Sequence, residues 1–510
     1  ARVGGTVGAL DAPRAGVADQ QQLHRSVPCR PVGVLSSRRT KIVATLGPAS
    51  DPPEVLGGLL DAGVDVVRLG LAHGTPDEHR RRVERLLELA ERGGRTIGVL
   101  ADLPGPKVRT GTFPEGGAYL AEDDEVTLVT GEGPSDRRRI EVTEARLAES
   151  VTPGDAIVLG DGTVRLEVLE VTANEIQAVV RSAGRLQGRP GAHLPSERWL
   201  PAVPTDEDLR LIDAVARLAD WVAVSFVRGP DELTRVREAL GPDGPRVMAK
   251  IETRAAVERL EDLLDVADGV MVARGDLGID LPIEDVPHLQ KRIIRACGAR
   301  GLPVVTATQM LESMVTAPSP TRAEASDVAN AVLDGSDALM LSAETAIGQD
   351  PVQVVRTMAR IAARTERFDT RTAGSYELGL KGRDRAPTAA AVTAAMAQAA
   401  LRAAAELELA AIVCCTRSGT TARAMAALRP SCRLVGASPW PATARQLALS
   451  WGVEPLVVGE YGTTDDMVWC VVEAAVRQGL VRHGESIAVL AGAPDAAPRT
   501  TDVLRVVAVS

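Results

Sequence analysis

Short apolar runs recur along most of the chain, and between them apolar positions return every three or four residues. The runs are Lys41–Leu46, Val64–Leu69, Thr96–Leu103, Trp221–Val227, Arg246–Glu252, Gly269–Gly275, Pro303–Thr308 and Ala338–Glu344. Near-continuous apolar runs of this length predict strands covered on both faces, as in a parallel sheet. The intervening stretches Pro76–Glu91, Asp206–Ala219, Thr253–Leu264 and Val286–Ala299 predict amphipathic helices. One helix start is explicit: Thr321 with Glu324 three residues on forms a capping box. Eight βα units in order predict an α/β protein built on a TIM (β/α)8 barrel.

Two regions break that rhythm. Between the third and fourth runs, Asp124–Thr130, Asp155–Leu159, Thr163–Val171 and Glu175–Val180 read as short β segments with Gly and Asp turns. They predict a small all-β domain inserted in a βα loop, where it can act as a lid over the catalytic face of the barrel. After a long helix near Asp350–Arg367, Gly379–Pro387 reads as a polar linker. From about Thr388 the alternation resumes, with strands at Ala410–Thr416, Arg433–Ala437, Glu454–Val458, Ser486–Ala491 and Val503–Val509. This predicts a separate C-terminal α/β domain with a mostly parallel sheet. The expected division is a barrel over 39–106 and 204–368, a β-barrel-like lid over 107–203, and a C-terminal domain over 385–510. Residues 1–38 hold few carboxylates and show no sustained period, which reads as a disordered extension or an overlong gene start.

Composition narrows the class. Aromatic residues are only 2% of the chain, so the cores must be built from Val, Leu, Ile and Ala. A net charge of −10 argues against nucleic acid or an anionic membrane as partner. No apolar run approaches the length needed to span a bilayer. Cys29, Cys297, Cys414, Cys415, Cys432 and Cys470 show no CxxC or zinc spacing, which suits reduced thiols and a cytoplasmic location.

The chemistry concentrates at two strand ends. Lys250 and Glu252 lie two residues apart on one strand and so point the same way. The next strand leads into Ala273-Arg274-Gly275-Asp276-Leu277-Gly278, expected to deliver Asp276 in a glycine-flanked turn. A divalent metal held by Glu252 and Asp276, with Lys250 facing the anion on that metal, fits this pattern. The bland alternative is a buried Lys–Glu ion pair, which is costly to desolvate and seldom stabilising. Lysine is scarce here, confined to Lys41, Lys107, Lys250, Lys291 and Lys381, so one kept inside a strand carries weight.

Taken in order, the motifs resemble the pyruvate kinase family over nearly all of residues 38–510. They are Arg39-Thr40-Lys41-Ile42-Val43, Gly47-Pro48-Ala49-Ser50, Val67-Arg68-Leu69 with His73-Gly74, and Asp102 with Gly105-Pro106-Lys107-Val108-Arg109. Ser225-Phe226-Val227-Arg228, Ala249-Lys250-Ile251-Glu252, Arg274-Gly275-Asp276, Thr306-Ala307-Thr308-Gln309-Met310 and Pro320-Thr321-Arg322-Ala323-Glu324 follow. The resemblance implies transfer of a phosphoryl group from phosphoenolpyruvate to ADP, giving ATP and pyruvate in the last step of glycolysis. It implies Mg²⁺ or Mn²⁺ on Glu252 and Asp276, and the substrate carboxylate on backbone N–H groups around Arg274, Gly275 and Asp276. Lys250 is implied to stabilise the phosphoryl group and the enolate, with Arg68 and Arg109 at the phosphoryl group. Thr308 is placed on the protonation route and His73, with Arg68, on the nucleotide side. Hard carboxylate oxygens suit such a metal, and cations around the equatorial oxygens are what phosphoryl transfer needs. For the two arginines the plain alternative is a salt bridge at the barrel mouth. The family also implies a homotetramer and a regulatory C-terminal domain.

Departures from the family pattern matter. The usual Asn-Phe-Ser, whose polar side chains ligate a monovalent cation, is replaced by Gly70-Leu71-Ala72. Lys107 stands where potassium-dependent members carry Glu, and Leu103 replaces a Thr. A fixed ammonium at Lys107 in place of K⁺ predicts activity without potassium. Pro204-Thr205-Asp206-Glu207 stands where Glu-Lys-Asp is usual. In the last domain, Thr416-Arg417-Ser418-Gly419-Thr420-Thr421 follows a strand and opens a helix, as a phosphate cradle for a phosphorylated effector does. A capped βα turn without ligand is the alternative. The competing readings of the whole chain are a weakened or non-catalytic metabolite-binding paralogue and a different metal-dependent enolate-forming barrel enzyme.

Overall fold

The computed structural model of the protein describes residues 38–160, 162–195, 198–199, 201–368, 388–460, 463–492 and 500–510. The expected extension at 1–38 (but for Arg38), the linker Gly379–Pro387 and residues 493–499 lie outside these. Eight parallel strands close into a barrel. In chain order they are Lys41–Leu46, Val66–Gly70, Gly98–Asp102, Trp221–Val224, Arg246–Ile251, Gly269–Ala273, Val304–Ala307 and Ala338–Leu341. Each pairs with its neighbours in sequence, and the first pairs with the eighth to close the ring.

Strand alternation sorts the side chains. Val43, Val66, Leu100, Trp221, Ala223, Met248, Met271, Val305 and Met340 fill the inside as one cluster. The intervening Val67, Val99, Val222, Ala249 and Val272 pack outward in the cluster that includes the helix residues Leu56, Val83 and Leu86. The same alternation carries Thr45, Arg68, Asp102, Ser225 and Lys250 to the barrel mouth, and Lys41 and Arg246 to its floor. Ala448 and Leu449 of the C-terminal domain join the inner cluster and plug the floor.

The insert follows the third strand. It holds a six-stranded sheet and a two-stranded one around its own core of Leu128, Ile140, Ile157 and Leu166. Four of its strands, Ala118–Leu120, Arg139–Val142, Gly184–Leu186 and Ala192–His193, have no counterpart in the sequence reading. They are too short to show a period. The C-terminal sheet has five strands, four parallel and the last, Val503–Ala508, antiparallel, as the pattern predicts.

Three expected elements differ. The sixth barrel strand stops at Ala273 and Arg274–Asp280 is a short helix, so Asp276 sits in a helical first turn rather than a loop turn. A carboxylate is favoured there by the free N–H groups. The helix expected over Thr253–Leu264 breaks at Arg259 into Arg254–Glu258 and Leu260–Val266. The seventh strand ends at Ala307, because Thr308 and Gln309 take left-handed φ values of +66° and +53°. No helix among the described residues is long and apolar enough to cross a membrane.

Candidate active site

The mouth of the barrel brings five inward-facing polar side chains together. Arg68 Nε donates to Asp102 Oδ2 at 2.7 Å, and its Nη1 donates to Thr45 Oγ1 at 3.2 Å. Lys250 Nζ lies 3.2 Å from Asp102 Oδ1 and 2.8 Å from Glu252 Oε1. It also donates to Ser225 Oγ at 2.7 Å, and that hydroxyl donates to the carbonyl of Leu103 at 2.7 Å. Gly105 is required beside it: its φ is +64°, and a Cβ there would come within 2.9 Å of Ser225 Cβ. Glu252 Oε2 accepts from Phe226 N at 2.7 Å.

Electrostatics treat the two carboxylates of this cluster differently. Burial works to raise the Asp102 carboxyl, but Lys250 and Arg68 outweigh it and hold the pKa below the ordinary value. Burial works to lower the Lys250 ammonium, but Asp102 and then Glu252 hold it well above the lysine range, so it stays protonated. Glu252 moves the other way: burial raises its pKa, Lys250 only partly opposes this, and the Asp276 carboxylate adds to the rise. Glu252 Oε1, like Asp102 Oδ1, is buried beside Lys250 Nζ with no other polar partner. An acceptor of this kind, facing a second carboxylate, fits a divalent cation. Among the described residues no set of three or more His, Cys, Asp or Glu is placed to hold a metal. Two carboxylates suit Mg²⁺, which keeps waters and substrate oxygens in its remaining positions.

Thr308 and the Arg274–Asp276 turn form the adjoining wall. Gly275 N donates to Thr308 Oγ1 at 2.9 Å, and Thr308 Oγ1 donates to the Ala307 carbonyl at 2.7 Å. The Arg274 guanidinium turns away from the carboxylates: it donates to the Thr308 carbonyl at 2.7 Å and pairs with Asp327 at 2.8 Å. It thereby braces the left-handed backbone at Thr308, a costly conformation for a β-branched residue. His193 Nε2 reaches 3.8 Å from Asp276 Oδ1 from the short Ala192–His193 strand of the insert.

A second, cationic group lines the rim. Arg109, Lys107 and Arg68 all act, after burial, to lower the pKa of His73. Arg109 is not drawn into the Arg68–Lys250 cluster; its Nη1 donates to the Arg189 carbonyl at 3.3 Å. Lys107 makes no ion pair or hydrogen bond among the described residues; it keeps an exposed surface at the rim, and partial desolvation and then the charge of Lys250 push its pKa down. Sequence reasoning missed Asp102, Ser225 and His193 as site residues. Asp102 lies one residue before the end of a predicted strand at the catalytic face, a signal available for it; His193 has none.

In the C-terminal domain the loop hydroxyls are turned on one another. Thr416 Oγ1 accepts from Gly419 N at 2.9 Å, Ser418 Oγ and Thr420 Oγ1 pair at 3.0 Å, and Thr421 Oγ1 pairs with Thr501 Oγ1 at 2.7 Å. Gly419 has φ +83° at the cap of helix Thr420–Ala427. Arg417 is exposed.

Residues 37–355 match the family described as "Pyruvate kinase, barrel domain", and residues 394–507 match "Pyruvate kinase, alpha/beta domain". The chain belongs to the pyruvate kinase family. The pyruvate kinase of Geobacillus stearothermophilus is 40% identical over 93% of this chain and 81% of its own length. That of Methylorubrum extorquens is 40% identical over 92% of this chain and 97% of its own. A crystal structure of a pyruvate kinase from Cryptosporidium parvum aligns with a TM-score of 0.83 at 31% identity, covering 93% of this chain and 97% of that one. Against the pyruvate kinase pattern, the departure at Gly70 lies beside Arg68, with room for a larger residue. The Arg68 guanidinium packs over this residue, where a Cβ would meet Nη1 at 3.6 Å.

Proposed function

We propose that this chain makes pyruvate and ATP from phosphoenolpyruvate and ADP in the cytoplasm, with Mg²⁺ or Mn²⁺ and without K⁺. The observation that carries this is Lys250, kept protonated between Asp102 and Glu252, with its ammonium 2.8 Å from Glu252 Oε1 and 3.2 Å from Asp102 Oδ1. Glu252 and Asp276 would hold the metal, which when bound neutralises charge on the phosphoryl oxygens. Lys250 stabilises charge on the phosphoryl group and then on the enolate oxygen, and Arg68 and Arg109 contact the phosphoryl group. Such preorganised cations are the main catalytic resource in phosphoryl transfer.

Backbone N–H groups around Arg274–Asp276 bind the substrate carboxylate, Gly275 N turning to it from Thr308 Oγ1, while the Arg274 side chain is committed elsewhere. Thr308 lies on the route that delivers a proton to the enolate carbon. His73, whose lowered pKa keeps it neutral at pH 7, faces the nucleotide. Lys107 supplies the fixed charge that replaces K⁺, and Gly70 and Ala72 carry no side-chain oxygen to ligate one.

The domains assigned to 39–106 with 204–368, to 107–203 and to 385–510 act as catalytic barrel, lid and regulatory unit within a homotetramer. A phosphorylated effector at Thr416–Thr421 is supported by the exposed Arg417 and the free N–H groups opening the helix. The test of the catalytic reading is Lys250→Ala. It should lose phosphoryl transfer while keeping its fold, and unchanged turnover would remove Lys250 from the assignment.

A further inference from the structure

The fifth barrel strand, Arg246–Ile251, is fastened at both ends. At the mouth it delivers Lys250 and Glu252. At the floor its first residue, Arg246, faces inward on the same side as Met248 and Lys250. The Arg246 guanidinium makes three different contacts. Nη2 donates to the Ser418 carbonyl at 3.0 Å, Nε donates to Gln446 Oε1 at 3.2 Å, and Nη1 pairs with Asp268 Oδ1 at 3.3 Å. The first two partners belong to the C-terminal domain and the third to the barrel. Asp268 Oδ2 also accepts from Val247 N at 3.0 Å, so the carboxylate grips the backbone next to Arg246. Arg246 N in turn donates to the Asp220 carbonyl at 3.0 Å, where the fourth strand begins.

Other floor contacts join the same two domains. Trp221 Nε1 donates to the Gln446 carbonyl at 3.2 Å, and Arg445 Nε pairs with Asp220 Oδ1 at 2.9 Å. The fifth strand differs in leading to two charged residues of the candidate site. Four residues of strand place Arg246 about 13 Å from Lys250. Met248 lies between them, buried with Trp221 and Met271 against Leu449 of the C-terminal domain. A close-packed strand transmits a shift at one end to the other, because interiors have few voids to absorb it.

We infer that Arg246 is a positioning residue for phosphoryl transfer. It pins the strand carrying Lys250 and Glu252 to the Ser418 and Gln446 edge of the C-terminal domain, which makes that domain part of the catalytic scaffold. The inference rests on the catalytic reading of Lys250 and Glu252. Displacement of reacting groups by a fraction of an ångström costs roughly 10-fold in rate, given that 1 Å costs about 100-fold.

The test is steady-state pyruvate formation by the full chain and by Arg246→Met, Gln446→Leu and the double variant, with circular dichroism to verify the fold. Arg246→Met should lower kcat about 10-fold with KM for ADP within about two-fold, by the displacement cost above. Gln446→Leu, which leaves the Arg246–Asp268 pair, should lower kcat less. The double variant should be no worse than Arg246→Met, because Gln446 acts through Arg246. A folded Arg246→Met with unchanged kcat, or losses that simply multiply, would overturn the inference. If Arg246→Met does not fold, Gln446→Leu decides, and an unchanged kcat there overturns it too. An unmodified chain that forms no pyruvate would instead count against the catalytic reading beneath.

Discussion

The two ends of the barrel treat their charges in opposite ways. At the floor, cations are tied to the C-terminal domain as well as to the barrel: Lys41 Nζ donates to the Val453 carbonyl at 2.8 Å and lies 3.6 Å from Asp65 Oδ1, though burial still lowers its pKa, and Arg246 has three partners. At the mouth, charges are crowded and partly unanswered. Glu252 Oε1 and Asp102 Oδ1 share the one Lys250 ammonium, Asp276 raises the pKa of Glu252, and Lys107 has no partner among the described residues. One strand alternation builds both ends, so the difference is not one of burial or fold. It lies in whether partners are present, and a shortage of partners marks the end where ligands are expected to supply them. The floor holds the domains together; the mouth is left incomplete.

This contrast can be broken at either end. The largest effect is expected at the mouth, from Lys250→Ala: about 1000-fold lower kcat, comparable to removing a key electrostatic donor. The fold should persist at a cost in stability, since Arg68 still pairs with Asp102 while buried Glu252 loses its cation. Asp102→Asn comes next. It removes the carboxylate that orients both Arg68 and Lys250, and a loss of about 100-fold in kcat/KM is expected, read in the same assay. A loss below two-fold would mean that Asp102 is not the organiser of the mouth.

Lys107→Glu should slow the enzyme, and adding K⁺ should not restore it, because Gly70 and Ala72 still offer no ligand oxygens. Restoration by K⁺ would show that the monovalent site survives. At the floor, Lys41→Met should leave kcat within about two-fold and lower stability by about 1–3 kcal/mol, the cost of a buried unpaired carbonyl, measured by denaturant unfolding. A large kcat loss without destabilisation would erase the distinction between the ends.

The smallest effect is a pH shift. The Lys107 pKa lies below the ordinary lysine value, so its charge is lost at lower pH than that of a free lysine. An alkaline decline in kcat should follow, and Lys107→Arg should move it to higher pH. For stability the sign is opposite. A lysine with a lowered folded pKa weakens the folded state while charged, and stability recovers as pH rises toward the unfolded pKa. Lys107→Met should therefore melt no lower than the parent.

Much of the mouth was legible from local sequence. Two residues of one strand must face one way, so the joint placement of Lys250 and Glu252 could be read directly. The barrel could be read because near-continuous apolar runs alternate with amphipathic stretches in a fixed order. Contacts across strands were less accessible. Asp102 meets Lys250 only because the third strand pairs with the fourth and the fourth with the fifth. His193 reaches Asp276 only through the folding back of the insert. The helical placement of Asp276 and the left-handed Thr308 depend on bracing by Arg274, which no spacing rule encodes. The inward turn of the hydroxyls at Thr416–Thr421 is likewise set by tertiary partners such as Thr501.

The most direct test of the account is the initial rate of pyruvate formation from phosphoenolpyruvate and ADP with Mg²⁺, measured with and without K⁺. Substantial and equal rates are predicted, because Lys107 provides the fixed charge and Gly70 and Ala72 provide no cation ligands. Strong activation by K⁺, or no rate with either salt from folded protein, would contradict it.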